Sequence, residues 1–149
     1  MKKYKFIKKI NLLDYKDLSK LKINNNLINL IDIKFDERKE YIYIKKCFDI
    51  AFKILNSGLT NKFINGPVNK SKFLKKKYLG ITEYISKKFK IKKNAMLIYN
   101  KELSVCPITT HLTLKLVSKK INKNLIKEKT ILIDNFYKKS LGFKPRIGV

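Results

Sequence analysis

The sequence predicts an α/β layer protein, and three observations carry that expectation. An amphipathic helical stretch leads through a tight link to a short apolar run and a Gly-Pro corner. Two branched runs flank a three-residue polar turn, and two more helical stretches precede a final run that begins at Pro145. At 149 residues the natural expectation is one domain, 1–149, able to bury about two-thirds of its unfolded surface. With 44% apolar and 11% aromatic residues there is material for a core, which argues against global disorder.

Taken in order, residues 27–33 alternate imperfectly and are rich in branched side chains, so they read as a short strand. The Asn24-Asn25-Asn26 run before it is a local loop. A charged turn at 36–40 leads to the clearest helix, in which Ile44, Cys47, Phe48, Ala51, Ile54 and Leu55 share one continuous face. Gly58 supplies the left-handed position that ends it. Cys47 on that face reads as a small core residue rather than a reactive thiol. Residues 62–64, halted by Asn65-Gly66-Pro67, are expected as a strand. So are 95–99 and 103–108, with Asn100-Lys101-Glu102 as a hairpin loop that would make part of the sheet antiparallel. Residues 112–121 and 125–141 read as helices, the second stopped by Gly142, and 145–149 as a last strand.

The formal charge is +25, from 36 Lys+Arg against 11 Asp+Glu. Such a balance is the usual footprint of phosphate neutralisation. Here only Arg38 and Arg146 are arginine, while Ile and Asn are abundant and Ala, Gly and Pro scarce, the pattern of an A/T-biased coding sequence. Nucleic-acid readers lean on the planar arginine fork, and lysine is a more strongly hydrated point charge. The lysines are dispersed, dense only at 75–77 and 87–93, so a solvated lysine surface is preferred to a nucleic-acid interface. No apolar run approaches the roughly 20 residues of a membrane span. The basic N-terminus lacks the apolar stretch and small-residue site of a secretory signal. Cys47 and Cys106 fit a reducing compartment, and the cytoplasm is the expected location.

Three segments could carry chemistry. His111, the single histidine, falls where a predicted strand hands over to a predicted helix, the end of an α/β layer where functional groups gather. Its imidazole reads as a metal ligand or proton carrier, or equally as a helix-entry residue making local hydrogen bonds. One histidine cannot close a metal site, and neither cysteine has zinc-ligand spacing to it. Asn65-Gly66-Pro67-Val68-Asn69-Lys70-Ser71 offers a corner, a lysine and a hydroxyl at a helix start that could line an anion pocket, although most Gly-Pro corners are turns. In Gly80-Ile81-Thr82-Glu83, Thr82 reads as a helix cap or a ligand contact. No dinucleotide glycine fingerprint and no Ser-His-Asp order stands out.

Together these segments resemble the 4-hydroxythreonine-4-phosphate dehydrogenases of vitamin B6 biosynthesis. That family carries Thr-Gly-Pro-(Ile/Val)-x-Lys, Gly-His-Thr-Glu, Thr-Thr-His-Leu-Pro-Leu and a strand opening Pro-Arg-Ile. The counterparts here are Asn65-Gly66-Pro67-Val68-Asn69-Lys70, Gly80-Ile81-Thr82-Glu83, Thr109-Thr110-His111-Leu112-Thr113-Leu114 and Pro145-Arg146-Ile147. The resemblance is clearest over 41–149. It implies a three-layer α/β/α fold of the isocitrate/isopropylmalate dehydrogenase type, of which 1–149 is one partial domain. It implies that His111 binds a divalent metal (Zn, Mg or Co) and that Thr82 contacts substrate. The implied reaction is a metal-dependent, NAD-linked oxidation and decarboxylation of 4-phosphooxy-threonine, a small phosphorylated hydroxy amino acid. The implied assembly is a homodimer with shared active sites.

The sequence also departs from that pattern. Ile81 stands where the family has a substrate-contacting histidine, Asn65 where it has threonine, and Thr113 where it has proline. Two further metal histidines of the family belong to a second half beyond these residues, so a partner chain supplying that half is expected. The competing readings are a catalytically inactive fragment or dimerisation scaffold, and a basic nucleic-acid-binding protein.

Overall fold

The sheet begins with a parallel pair joined by an irregular crossover. In the computed structural model, which describes residues 9–75 and 77–149, β1 (Ile10–Leu12) pairs with β2 (Ile28–Leu30) in the register Ile10↔Ile28, Asn11↔Asn29, Leu12↔Leu30. Residues 1–8 of the basic N-terminus and Lys76 of the 75–77 lysine run lie outside the described residues. Parallel neighbours need a connection of about a dozen residues or more, and here it contains one 3-10 turn at Leu18–Lys20. The expected strand at 27–33 is therefore real but shorter, and β1 was not anticipated. The asparagine run explains the register. Asn11 Nδ2 donates to Asn29 Oδ1 (2.8 Å), Asn29 Nδ2 donates to the Asn24 carbonyl (3.0 Å), and the Asn24 N–H donates back to Asn29 Oδ1 (3.0 Å).

The described residues fall into two compact units, one ending at Lys75 and the other at Val149. The first is organised by α1 (Glu40–Asn56), entered through a 3-10 turn that Asp36 caps by accepting from the Arg38 N–H (3.0 Å). Its helical period brings Phe48 and Phe52 onto one buried face, and Ser57 and Gly58 (φ +79°) close its last carbonyls. Cys47 is half-buried on α1 and free, as the periodicity suggested. Phe48 is only 4% exposed and stacks on Phe73 at 5.1 Å between ring centroids, with Phe63 edge-on at 5.7 Å. Phe73 comes from α2 (Lys70–Leu74), whose N-terminus Asn69 caps through the Lys72 N–H (3.2 Å). Each such ring pair is worth about 0.5–1.5 kcal/mol beyond burial.

Residues 62–64 do not form a strand. Phe63 turns its ring into Phe48 and Phe52, Ile64 is 95% exposed, and no backbone among the described residues pairs with the run.

The second unit contains α3 (Ile81–Lys88), α4 (Leu114–Lys120) and α5 (Lys123–Phe136). Asn122 caps α5 by accepting from the Leu125 N–H (2.9 Å), and the helix widens into a π turn over Tyr137–Leu141 before Gly142 (φ +80°) ends it. Tyr137 is buried, its ring edge-on to Phe143 and its hydroxyl donating to Ser104 Oγ (2.9 Å). The antiparallel expectation for 95–108 holds in miniature. Ile98 and Val105 exchange both backbone hydrogen bonds (2.8 and 2.9 Å) as an isolated bridge rather than paired strands. Residues 145–149 form no strand, and Val149 is 94% exposed.

The architecture is thus α/β, with a small parallel sheet and several helices. No described helix is long and apolar enough to cross a membrane.

Candidate functional site around His111 and the start of helix α3

His111 lies three residues ahead of α4, exposed to solvent, with its backbone in the left-handed region at φ +57°. Left-handed geometry is uncommon for a residue with a Cβ, although His is among the types that tolerate it, and it costs on the order of 1 kcal/mol. Strain of this kind persists where surrounding structure holds the residue in place. The expected junction is confirmed at its helix side only, because the residues before His111 form an extended segment with a single bridge at Val105.

The start of α3 faces the imidazole. Gly80 is buried and serves as N-cap in an extended conformation (φ −159°, ψ 179°). Thr82 sits in the first turn, exposed, and makes no capping bond; Gly80 holds that position instead, so the capping reading of Thr82 is corrected. Ile81, half-buried, opens the helix.

The space above the Gly80 α-carbon is enclosed by polar atoms. A Cβ placed there would meet Glu83 Oε2 at 2.8 Å and His111 Nε2 at 3.4 Å. Glu83 Oε2 is fully buried and finds no hydrogen-bond donor among the described residues. Its place at the third helical position would suit a capping box, in which it accepts from the N-cap N–H, but no such bond forms. An orphaned carboxylate oxygen beside an imidazole nitrogen, with a glycine leaving room between them, is a place where a proton donor or cation is called for.

These observations bear on a divalent metal. His111 offers an exposed imidazole, and Glu83 an uncompensated anionic oxygen, so the donor set fits part of a cation site. Among the described residues no three His, Cys, Asp or Glu side chains cluster closely enough to enclose an ion. The remaining ligands would have to come from elsewhere.

The segment Asn65–Ser71 belongs to the first unit. Asn65 Nδ2 donates to the Gly66 carbonyl (3.1 Å), and Ser71 Oγ donates to the capping oxygen of Asn69 (2.8 Å). The hydroxyl and the cap are thus committed to each other at the start of a helix of only five residues. A pocket of about 710 Å³ lies in the second unit, between the 97–108 segment, α5 and the residues from Phe143 onward, and none of Gly80, Thr82, Glu83 or His111 lines it. Glu83 is the residue at this place to which motif reading gave no role. Its spacing of three from a glycine N-cap was visible, but the 28 positions separating it from His111 gave no hint of their meeting.

Comparison with known proteins agrees with the residues. Residues 3–149 match the family described as pyridoxal phosphate biosynthetic protein PdxA. The chain is 30% identical over 134 residues to the 4-hydroxythreonine-4-phosphate dehydrogenase of a Sulfurihydrogenibium species, covering 83% of this chain and 40% of that protein. It is 34% identical over 96 residues to the Aquifex aeolicus protein of the same name (62% of this chain, 29% of that one). With the Bacteroides thetaiotaomicron one it shares 28% over 103 residues (66% and 28%). The chain thus spans less than half the length of each of these relatives. A match along nearly the whole chain, on top of four ordered motifs, places this protein in the PdxA family of pyridoxal phosphate biosynthetic proteins.

Proposed function

We propose that this chain contributes one part of a 4-hydroxythreonine-4-phosphate dehydrogenase, acting on 4-phosphooxy-threonine in the cytoplasm in pyridoxine phosphate biosynthesis. In this reading 1–149 is one partial domain of a three-layer isocitrate/isopropylmalate dehydrogenase-like fold. The observation that supports it most is the exposed imidazole of His111, held on left-handed backbone against the start of α3. His111 would supply one ligand to a divalent metal, while the others come from a second copy or from a partner chain carrying the family's second half. When bound, the metal acts as a Lewis acid that polarises the substrate hydroxyl as it becomes a ketone, with NAD taking the hydride. Thr82, exposed in the first turn of α3, presents its hydroxyl to a polar substrate group. The free N–H groups of that turn favour a negatively charged substrate nearby. No residue of this chain is assigned to NAD.

The test is NADH formation from 4-phosphooxy-threonine by the chain alone and mixed with the C-terminal portion of a full-length relative. Turnover is expected in the mixture and lost in H111N; a mixture that stays silent while the two polypeptides associate removes the enzymatic reading. The second reading, an inactive scaffold, is favoured by Ile81. Its aliphatic side chain cannot hydrogen-bond a polar substrate where the family has histidine, a loss often worth orders of magnitude in rate.

A further inference from the structure

We propose that Glu83 is a positioning residue for His111: its buried Oε2 accepts the imidazole Nε2–H across the gap above Gly80, fixing the ring and leaving Nδ1 as the free lone pair. Three observations on separate parts of the chain converge on that gap. Glu83 Oε2 is shut away from solvent with no donor among the described residues, a costly state that calls for a nearby N–H. The two atoms nearest to the absent Cβ of Gly80 are Oε2 and Nε2, so both point into one space. His111 sits in left-handed backbone, a locally strained conformation, with its Nε2 beside Gly80 at the start of α3.

Gly80 itself is extended, a conformation open to any residue, so backbone geometry does not demand a glycine there. Its missing side chain is what leaves Oε2 and Nε2 room to approach. The ring is solvent-exposed on its other side, and a small rotation of an exposed side chain closes the remaining distance at little cost.

The pairing stands on these contacts alone; its consequence for a cation rests on the proposed function. Metal-binding histidines commonly donate their second ring N–H to a carboxylate, which sets ring orientation and raises ligand basicity. Glu83 would play that part for His111, with Nδ1 turned to the metal.

The experiment exploits His111 being the only histidine, which removes any ambiguity of assignment. In the full chain labelled with nitrogen-15, at a pH where imidazole is neutral, the His111 Nε2–H proton is expected to exchange slowly enough to be observed. It should vanish in E83A and persist in E83Q, whose amide oxygen still accepts. Cobalt(II) titration of the chain mixed with the C-terminal portion of a full-length relative, read by visible absorption, should show E83A weakened about 10–100-fold, with E83Q close to wild type. If E83A fails to fold, G80A provides the same readout, because its Cβ displaces the carboxylate from the ring while residue 83 remains a glutamate. A proton signal equally protected in wild type and E83A, or absent from wild type, overturns the pairing. A protected signal that depends on Glu83, with no cobalt bound by any form in that mixture, upholds the pairing and instead removes the metal from the proposed function.

Discussion

Replacing Gly80 by alanine separates a site from mere packing. The Cβ would lie 2.8 Å from Glu83 Oε2, well inside the roughly 3.5–4.0 Å at which carbon contacts are comfortable, and 3.4 Å from His111 Nε2. The carboxylate ends a flexible side chain and swings out to water, and the imidazole yields by a few tenths of an ångström. At φ −159° the backbone accepts alanine without strain. Alanine is a poorer N-cap than glycine by up to about 1 kcal/mol, and the stiffer unfolded chain returns about 0.4–1 kcal/mol. Loss of the proposed Glu83–His111 hydrogen bond adds about 0.5–1.5 kcal/mol, partly returned by hydration of the freed carboxylate. Net destabilisation is therefore expected to stay below about 2 kcal/mol in urea unfolding followed by circular dichroism. The ring signals of His111 should meanwhile shift clearly in two-dimensional NMR. A loss above about 3 kcal/mol, typical of disrupted core packing, with His111 signals unmoved would refute the reasoning.

Three further expectations concern the framework. Phe73→Ala removes the ring stacked on Phe48 and should lower unfolding free energy by about 3–5 kcal/mol, whereas a change below about 1 kcal/mol would show that the aromatic cluster of the first unit is not its core. Tyr137→Phe deletes the hydroxyl bonded to Ser104 Oγ and should destabilise by about 0.5–1.5 kcal/mol; Ser104→Ala in the same background should then cost less than it does alone, and strict additivity would deny the bond. Lys45 and Asp49 form an exposed pair at 2.6 Å, and the hydrogen bond and then the charge of Asp49 hold the Lys45 ammonium above its ordinary pKa of 10.5. Because the folded value is raised, the stabilisation is full below the ordinary lysine value and fades as pH rises through the folded one. Asp49→Asn should cost about 0.3–0.5 kcal/mol at neutral pH, and a gap that persists unchanged in strong alkali would assign the effect to something other than the ion pair.

The helices were legible from sequence because each writes its own pattern into consecutive residues. The face Ile44, Cys47, Phe48, Ala51, Ile54 and Leu55 gave α1, and the glycines at 58 and 142 marked two ends at positive φ. Strands were less legible, since a ladder exists only when a second segment offers matching donors and acceptors. Residues 62–64 and 145–149 carry strand-like composition and find no such partner among the described residues, while Ile10–Leu12, unremarkable in isolation, pairs with Ile28–Leu30 beside an asparagine network.

Sequence alone determined the family kinship and singled out His111 and Thr82, because ordered short motifs survive as local strings. Only the tertiary structure decided that Glu83 Oε2 and His111 Nε2 both lie over Gly80, that Gly80 rather than Thr82 caps α3, and that the Asn65–Ser71 corner is occupied with its own hydrogen bonds. The physical reason is that a local pattern records what a segment does by itself. Which buried oxygen lacks a donor, and which side chain stands across from it, depends on atoms far apart in the chain.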